Sequence, residues 1–253
     1  GGYIGLEAAA VAAQKGLNVT LVEMAERILQ RVAAPQTAAY FRMLHQSHCV
    51  DVKEGVGLKR LKGKNEEVRS AVLSDGTELD VDFAIVGVGI YPVTDIAEAA
   101  GLVCSNGIEV DQMGKTSDPA IWAAGDCCSF PFNGGRLRLE SVPHAIDQAE
   151  IIAQNILGAR LLYNPKPWFW SDQYDVKLQI TGLSEGFNQV IARQTNAKSV
   201  SFWYYKDDQL IAVDAMNDPR SYMVGKRLIE AGKTASAKCI TDLSFDLKNL
   251  LRT

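Results

Sequence analysis

The sequence predicts an α/β chain: a parallel sheet that also carries an antiparallel meander, followed by an α+β region at the C-terminal end. Three observations lead there. Helical and β-rich segments alternate over roughly the first 90 residues, the pattern of parallel-sheet architectures. DFAIVGVG at 82–89 is a nearly continuous apolar run, as expected of a strand covered on both faces. Beyond residue 175, four segments alternate apolar and polar residues as antiparallel strands do, and a helical stretch closes them.

Each element has a local reason. Residues 4–15 have the small apolar texture of a helix, ended by Gly16, and NVTLVE at 18–23 is a short β-rich run. Pro35 opens a second helix through His48, because proline is tolerated in a first helical turn, and VDVKEG at 50–55 is the next strand. LKRL, VRSAVL and the segment after the Asp75-Gly76 turn form the meander. After Tyr91 the texture changes. Turns at Asn106-Gly107 and Met113-Gly114 lead to AIWAAGD, read as a small-residue strand, and then to a helix over 143–157 stopped by Gly158. Pro165 and Pro167 mark a linker. VKLQITGL, QVIARQ, SVSFWYY and LIAVDAM are the antiparallel strands, Asp207-Asp208 suits a hairpin turn, and a helix over 219–231 ends at Gly232.

Composition narrows the function. The 253 residues carry 26 basic and 30 acidic side chains, a net charge of −4 without long single-sign blocks, which argues against nucleic acid as a partner. Apolar runs fall well short of the ~20 residues that span a bilayer, so no membrane anchor is expected. The five cysteines, Cys49, Cys104, Cys127, Cys128 and Cys239, lack metal or CxxC spacing and fit reduced, cytoplasmic usage. Adjacent Cys127 and Cys128 sit too close along the chain for an ordinary disulfide and read as small packed residues. His45, His48 and His144 have no ligand spacing, so no metal site is expected.

Three stretches carry chemistry. GGYIGLE at the start holds the last two glycines of a GxGxxG dinucleotide fingerprint: Gly2 for close approach of a pyrophosphate and Gly5 for helix packing. The helix from Ile4 would then aim its N-terminal amides at the phosphates. Glu23 closes the next strand about 20 residues on, where a carboxylate binds adenosine ribose hydroxyls; the alternative is a surface glutamate at a strand end. An acid there favours NAD, while Arg27 and Arg31 nearby keep NADP open. The motif also calls for a short apolar strand ending in glycine ahead of Gly1. In AAGDCC, Asp126 follows a glycine and either accepts the ribityl hydroxyls of a flavin or serves as a turn or cap aspartate. ESVPHAIDQA then places Pro143 at a helix start whose first-turn amides can face a flavin pyrimidine. In PWFWSDQY, Trp168 and Trp170 share one face of an extended segment, as core residues or as a stacking platform for a flat ring.

GGYIGLE, VEMAERILQR, GVGIYP, TSDPAIWAAGDCC, ESVPHAIDQA and PWFWSDQYDVKLQITGL, in this order, resemble the NADH-dependent ferredoxin reductases of bacterial oxygenase systems, and the resemblance covers essentially the whole chain. It implies a glutathione-reductase-like fold with two dinucleotide-binding domains and an α+β C-terminal domain. Residues 1–90 would form the NAD domain without its first strand, 91–162 the second segment of the FAD domain, and 163–253 the C-terminal interface domain. The first segment of the FAD domain would be missing. It further implies Gly2 and Gly5 at the NADH pyrophosphate, Glu7 near the nicotinamide, Glu23 at the adenosine ribose and Gly89 at the nucleotide. Asp126 and the Val142 backbone would hold FAD, with Trp170, and Trp168 nearby, beside its ring system. Electrons would pass from NADH through FAD to a [2Fe–2S] ferredoxin, with no protein nucleophile. Alternatives are another acceptor (rubredoxin, a quinone or ascorbate radical), or an NADH-sensing interaction protein resembling apoptosis-inducing factor, or an inactive fragment. Arg136, Arg138 and Lys177 are candidates to meet an acidic ferredoxin. The sequence departs from the family at Val93 and at His144, where asparagine is common; an imidazole there would make flavin potential depend on pH between roughly 5 and 8.

Overall fold

The computed structural model describes residues 1–252, which form two compact units: residues 1–89 with those from Trp170 onward, and residues 90–169. In the first unit, helix α1 (Tyr3–Gln14) leads to strand β1 (Thr20–Glu23), helix α2 (Pro35–Ser47) and strand β2 (Asp51–Glu54). β1 and β2 pair in parallel, from Thr20 opposite Asp51 to Glu23 opposite Glu54. The expected meander follows as β3 (Leu58–Lys64), β4 (Glu67–Leu73) and β5 (Glu78–Asp80), antiparallel in sequence order.

Residues 82–90 depart from expectation. They belong to no strand, and Phe83, Ile85, Val86, Val88 and Ile90 are exposed. A parallel strand is defined by ladders to neighbours, and no described segment supplies one here; apolar composition alone does not make a strand.

The second unit contains helix α3 (Asp95–Ala99), strands β6 (Ile108–Glu109), β7 (Cys128–Phe132) and β8 (Gly135–Leu137), and helix α4 (Val142–Ile156). β6 pairs in parallel with β7, and β7 in antiparallel fashion with β8. AIWAAGD is not a strand: Trp122 makes only an isolated bridge to Lys115. The strand begins two residues after Asp126, and its hairpin turns on Asn133-Gly134, whose positive φ angles of 47° and 80° suit that pair. Val110, Cys128, Phe130 and Tyr163 form its core, and buried Asn155 ties the loops by donating to the Met113 and Leu161 carbonyls at 2.8 Å each.

From β9 (Trp168–Gln173) the chain builds a five-stranded sheet, in the order β11-β12-β13-β10-β9, with β10 (Val176–Gly182), β11 (Gln189–Asn196), β12 (Ser199–Lys206) and β13 (Gln209–Met216). The β12–β13 turn is Asp207-Asp208, both left-handed, as the sequence led us to expect. Both faces are covered. Trp203, Tyr205 and Val213 pack against helix α5 (Pro219–Glu230) through Val224 and Leu228, joined by Ile240 of helix α6 (Ala237–Thr241) and Leu247 of a 3₁₀ turn (Leu247–Leu251). α5 lies so close that a Cβ on Gly225 would stand 2.6 Å from Val213 Cγ2. Arg193 holds the end of this cover: its guanidinium donates to the carbonyls of Ile240 at 2.8 Å, Asp242 at 2.7 Å and Phe245 at 3.2 Å.

The opposite face carries Tyr204, Ala212 and Asp214 toward Ala34 and α2. Thr37 Oγ1 donates to Asp214 Oδ2 at 2.6 Å and the Tyr204 hydroxyl donates to the same oxygen at 2.9 Å. Burial nevertheless pushes the Asp214 carboxyl up to about 6, because two neutral donors offset only part of the lost hydration.

Candidate nucleotide and flavin sites

The residues expected to bind the nucleotide gather at the N-terminus of α1. Gly2 is its N-cap in extended conformation (φ −79°, ψ 179°), with no side chain capping the first turn. A Cβ added at Gly2 or at Gly5 would meet nothing within 4 Å, so both backbones face open space. The first-turn amides of α1 are therefore presented without a side-chain competitor, the arrangement a pyrophosphate uses. Glu23 stands where β1 ends and turns toward this corner: one carboxylate oxygen lies 2.9 Å from the Gly1 nitrogen and the other accepts from Ala25 N at 2.8 Å. Burial opposes its ionisation, while the Ala25 N–H and the nearby Arg31 charge favour it.

Segment 82–89 passes the same corner. A Cβ on Gly87 would lie 3.9 Å from Gly5 N, and one on Gly89, whose φ is +96°, 3.3 Å from an Arg31 guanidinium nitrogen. Arg27 is engaged by its own loop, donating to the carbonyls of Ile28 at 3.4 Å and Gln30 at 3.3 Å. Gly2, Gly5, Glu23 and Gly89 thus sit in one unit around one helix end.

Glu7, one turn into α1, accepts from Ser171 Oγ at 2.6 Å. Ser171 follows Trp170 on β9, and alternation along the strand turns Ser171 and Gln173 inward, fully buried, while Trp170 is 43 % exposed. Gln173 Nε2 donates to Ser171 Oγ at 3.0 Å, its Oε1 lies 2.8 Å from His45 Nε2, and the Tyr174 hydroxyl lies 3.1 Å from His45 Nδ1. Neither Ser171 nor Gln173 was singled out in the sequence. The available signal was two polar residues at i and i+2 in an aromatic strand, an inward polar row beside an outward tryptophan.

The residues of the second unit expected to hold a flavin meet at the start of α4. Gly125, with φ +84°, donates its N–H to buried Gln148 Oε1 at 2.8 Å, and a Cβ there would lie 3.6 Å from Ala145 Cβ, so the Gly125-Asp126 turn rests on the first turns of the helix. Asp126 is exposed, and its backbone carbonyl accepts from Arg138 at 3.1 Å. Ser141 caps α4 by accepting from His144 N at 3.3 Å, leaving Val142 at the exposed entrance. A cleft beside this helix start is lined by Ser141, Pro143, Tyr163 and Trp168. An exposed carboxylate next to a helix N-terminus fits the polyol and pyrimidine ends of a flavin.

His144 does not face solvent. Its ring is 96 % buried, stacks on Phe130 at 5.2 Å and bonds the Tyr163 hydroxyl at 2.8 Å. Burial lowers its pKa, only partly opposed by the Gly125 carbonyl and the Asp126 and Asp147 charges, which favours the neutral ring. Two candidate docking cations are also internally engaged. Arg136 donates to the carbonyls of Val110 and Ser129, and Arg138 pairs with Glu140 at 2.6 Å. No group of His, Cys, Asp and Glu among the described residues is arranged to hold a metal ion.

Residues 1–149 match the model of the pyridine nucleotide-disulphide oxidoreductases and residues 168–251 that of the reductase C-terminal region. A ferredoxin–NAD(P)+ reductase from Sphingomonas is 42 % identical over 99 % of the chain, and putidaredoxin reductase from Pseudomonas putida 38 % identical over 99 %. The chain spans 62 % and 61 % of their respective lengths. Among solved structures, a ferredoxin reductase from Rhodopseudomonas palustris superposes with a TM-score of 0.95 at 42 % identity, covering 98 % of this chain and 62 % of that one. The reductase of a covalent putidaredoxin reductase–putidaredoxin complex gives 0.94 at 37 %, covering 99 % and 61 %. The α/β fold with its α+β C-terminal region is therefore that of these reductases, and the chain belongs to the pyridine nucleotide-disulphide oxidoreductase family.

Proposed function

We propose that this chain contributes the NADH site, part of the FAD site and the C-terminal domain of a reductase that passes electrons from NADH through FAD to a [2Fe–2S] ferredoxin, in the cytoplasm. Residues 1–90, 91–162 and 163–253 are assigned to these three parts. The observation that carries the reading is the corner where Glu23, closing β1, stands against the glycine turn at the uncapped start of α1. An anionic carboxylate there accepts two ribose hydroxyls and repels a 2′-phosphate, hence NADH over NADPH. The free cysteines and the absence of a long apolar helix among the described residues support the compartment.

Bound flavin would supply the conversion of a two-electron hydride donor into one-electron steps. This chain's own residues bind and orient. The α1 amides hold the pyrophosphate, Gly89 leaves room for the nucleotide, and Glu7 fixes the nicotinamide end. Asp126 and the Val142 N–H hold the flavin, while Trp170 and Trp168 offer aromatic faces beside its ring. Relatives named for a ferredoxin acceptor support that class, and a rubredoxin–NAD(+) reductase 35 % identical over 87 % of the chain makes rubredoxin the second reading.

The test uses the full-length, flavin-loaded protein. NADH should reduce the flavin, and the reduced protein should then reduce a [2Fe–2S] ferredoxin faster than rubredoxin or a quinone. Glu23→Ala should weaken NADH binding about tenfold and narrow the preference over NADPH. Faster transfer to rubredoxin, or no effect of Glu23→Ala, would refute the corresponding part of the reading.

A further inference from the structure

The hydrogen bonds running from Glu7 into the protein have a single consistent polarity. Gln173 donates from Nε2 to Ser171 Oγ, so its Oε1 is the atom facing His45 Nε2. That nitrogen must therefore carry a hydrogen. Burial lowers the His45 pKa, the ring is neutral at pH 7, and Nδ1 is then an acceptor for the Tyr174 hydroxyl. The Ser171 hydroxyl accepts from Gln173 and spends its only hydrogen on Glu7. Every donor in the chain Tyr174, His45, Gln173, Ser171 points toward the Glu7 carboxylate.

We infer that Ser171, fixed by Gln173 and His45, is a positioning residue that sets the Glu7 carboxylate for its part beside the nicotinamide. The inference rests on the proposed NADH site. Ser171, Gln173 and His45 are each fully buried, so none can turn to water without leaving a buried polar partner unsatisfied. The hydroxyl that holds Glu7 also neighbours Trp170 on the same strand, with the two side chains on opposite faces. One backbone segment thus sets the orientation of the tryptophan on one side and of the carboxylate on the other. Glu7 is only partly buried, and an unrestrained glutamate there would sample several rotamers; one short hydrogen bond from a rigid strand selects among them.

The full-length, flavin-loaded protein tests this with four variants: Ser171→Ala, Ser171→Cys, Glu7→Gln and the double variant Ser171→Ala/Glu7→Gln. Ser171→Ala should slow flavin reduction by NADH roughly tenfold in stopped flow while changing the NADH dissociation constant about twofold or less. Ser171→Cys, a weaker donor of similar shape, should fall between it and the parent. The double variant should be no slower than Glu7→Gln alone, the signature of two residues acting as one unit. A crystal structure of Ser171→Ala should show the Glu7 carboxylate displaced, a readout independent of turnover. If Glu7→Gln slows reduction and Ser171→Ala does not, or if Glu7 stays in place, the positioning role is overturned. If Glu7→Gln itself reduces at the parent rate, Glu7 has no part beside the nicotinamide, and that reading falls together with the inference built on it.

Discussion

FAIVGVG at 83–89 and LIAVDAM at 210–216 are apolar runs of equal length in the same compact unit, yet only one is a buried strand. Ala212, Val213, Ala215 and Met216 are fully buried between two hydrogen-bonded neighbours, with α5 over one face and α2 beside the other. Val88, in the other run, is 87 % exposed and has no ladder partner among the described residues. The runs differ in what surrounds them, and a strand's contribution is made by its neighbours on both edges and both faces. The run with the less uniformly apolar sequence is the more deeply buried: β13 even carries a carboxylate inside.

That contrast can be broken at several points. The largest effect should come from Trp203→Ala, which empties the middle of the α5 face; urea unfolding should show a loss of about 3–5 kcal/mol. A loss below about 1 kcal/mol would mean that α5 and the sheet do not share one core. Asp214→Asn probes the opposite face. The folded protein holds the Asp214 proton up to about pH 6 and the unfolded chain only to 3.8, so between these values the folded state binds more protons and stability falls as pH rises. The decline should begin near pH 4, be complete by about pH 7 and amount to about 3 kcal/mol. Asparagine keeps an acceptor for Thr37 and Tyr204, so the variant should lack the decline and gain that much on the parent between pH 4 and 7. Identical pH profiles would remove the buried charge from the account. Gly225→Ala presses a methyl group into Val213 and should cost about 1–3 kcal/mol without disturbing NADH binding. The smallest effect belongs to the exposed run, where Val88→Ala in this 253-residue chain should change stability by about 0.5 kcal/mol or less. A large loss there would show that 82–90 is covered in the folded protein after all.

Helix boundaries were largely legible, because caps are written in single residues. Pro35, Pro143 and Pro219 each stand in a first turn, and Gly158 and Gly232 follow just beyond helix ends. The hairpin at Asn133-Gly134 was legible in principle, since that pair is a strong turn signal, but the apolar stretch before it drew the strand start eight residues too early. Residues 241–252 were not legible: the 3₁₀ turn has little local signal, and its approach is anchored by Arg193, some 50 residues earlier.

The sequence by itself determined the local chemistry: the glycines at the start of α1, the acid at the end of β1, the aspartate after Gly125 and the paired tryptophans. Their spacing reflects backbone geometry, which a motif encodes over a few residues. Tertiary structure alone decided which of these side chains had partners. It withdrew His144 from solvent, engaged Arg136 and Arg138 inside their own unit, and brought Ser171 to Glu7 from 164 positions away. Hydrogen-bond polarity and pKa depend on what lies within a few ångströms, and in a folded chain those neighbours come from residues far apart in the sequence.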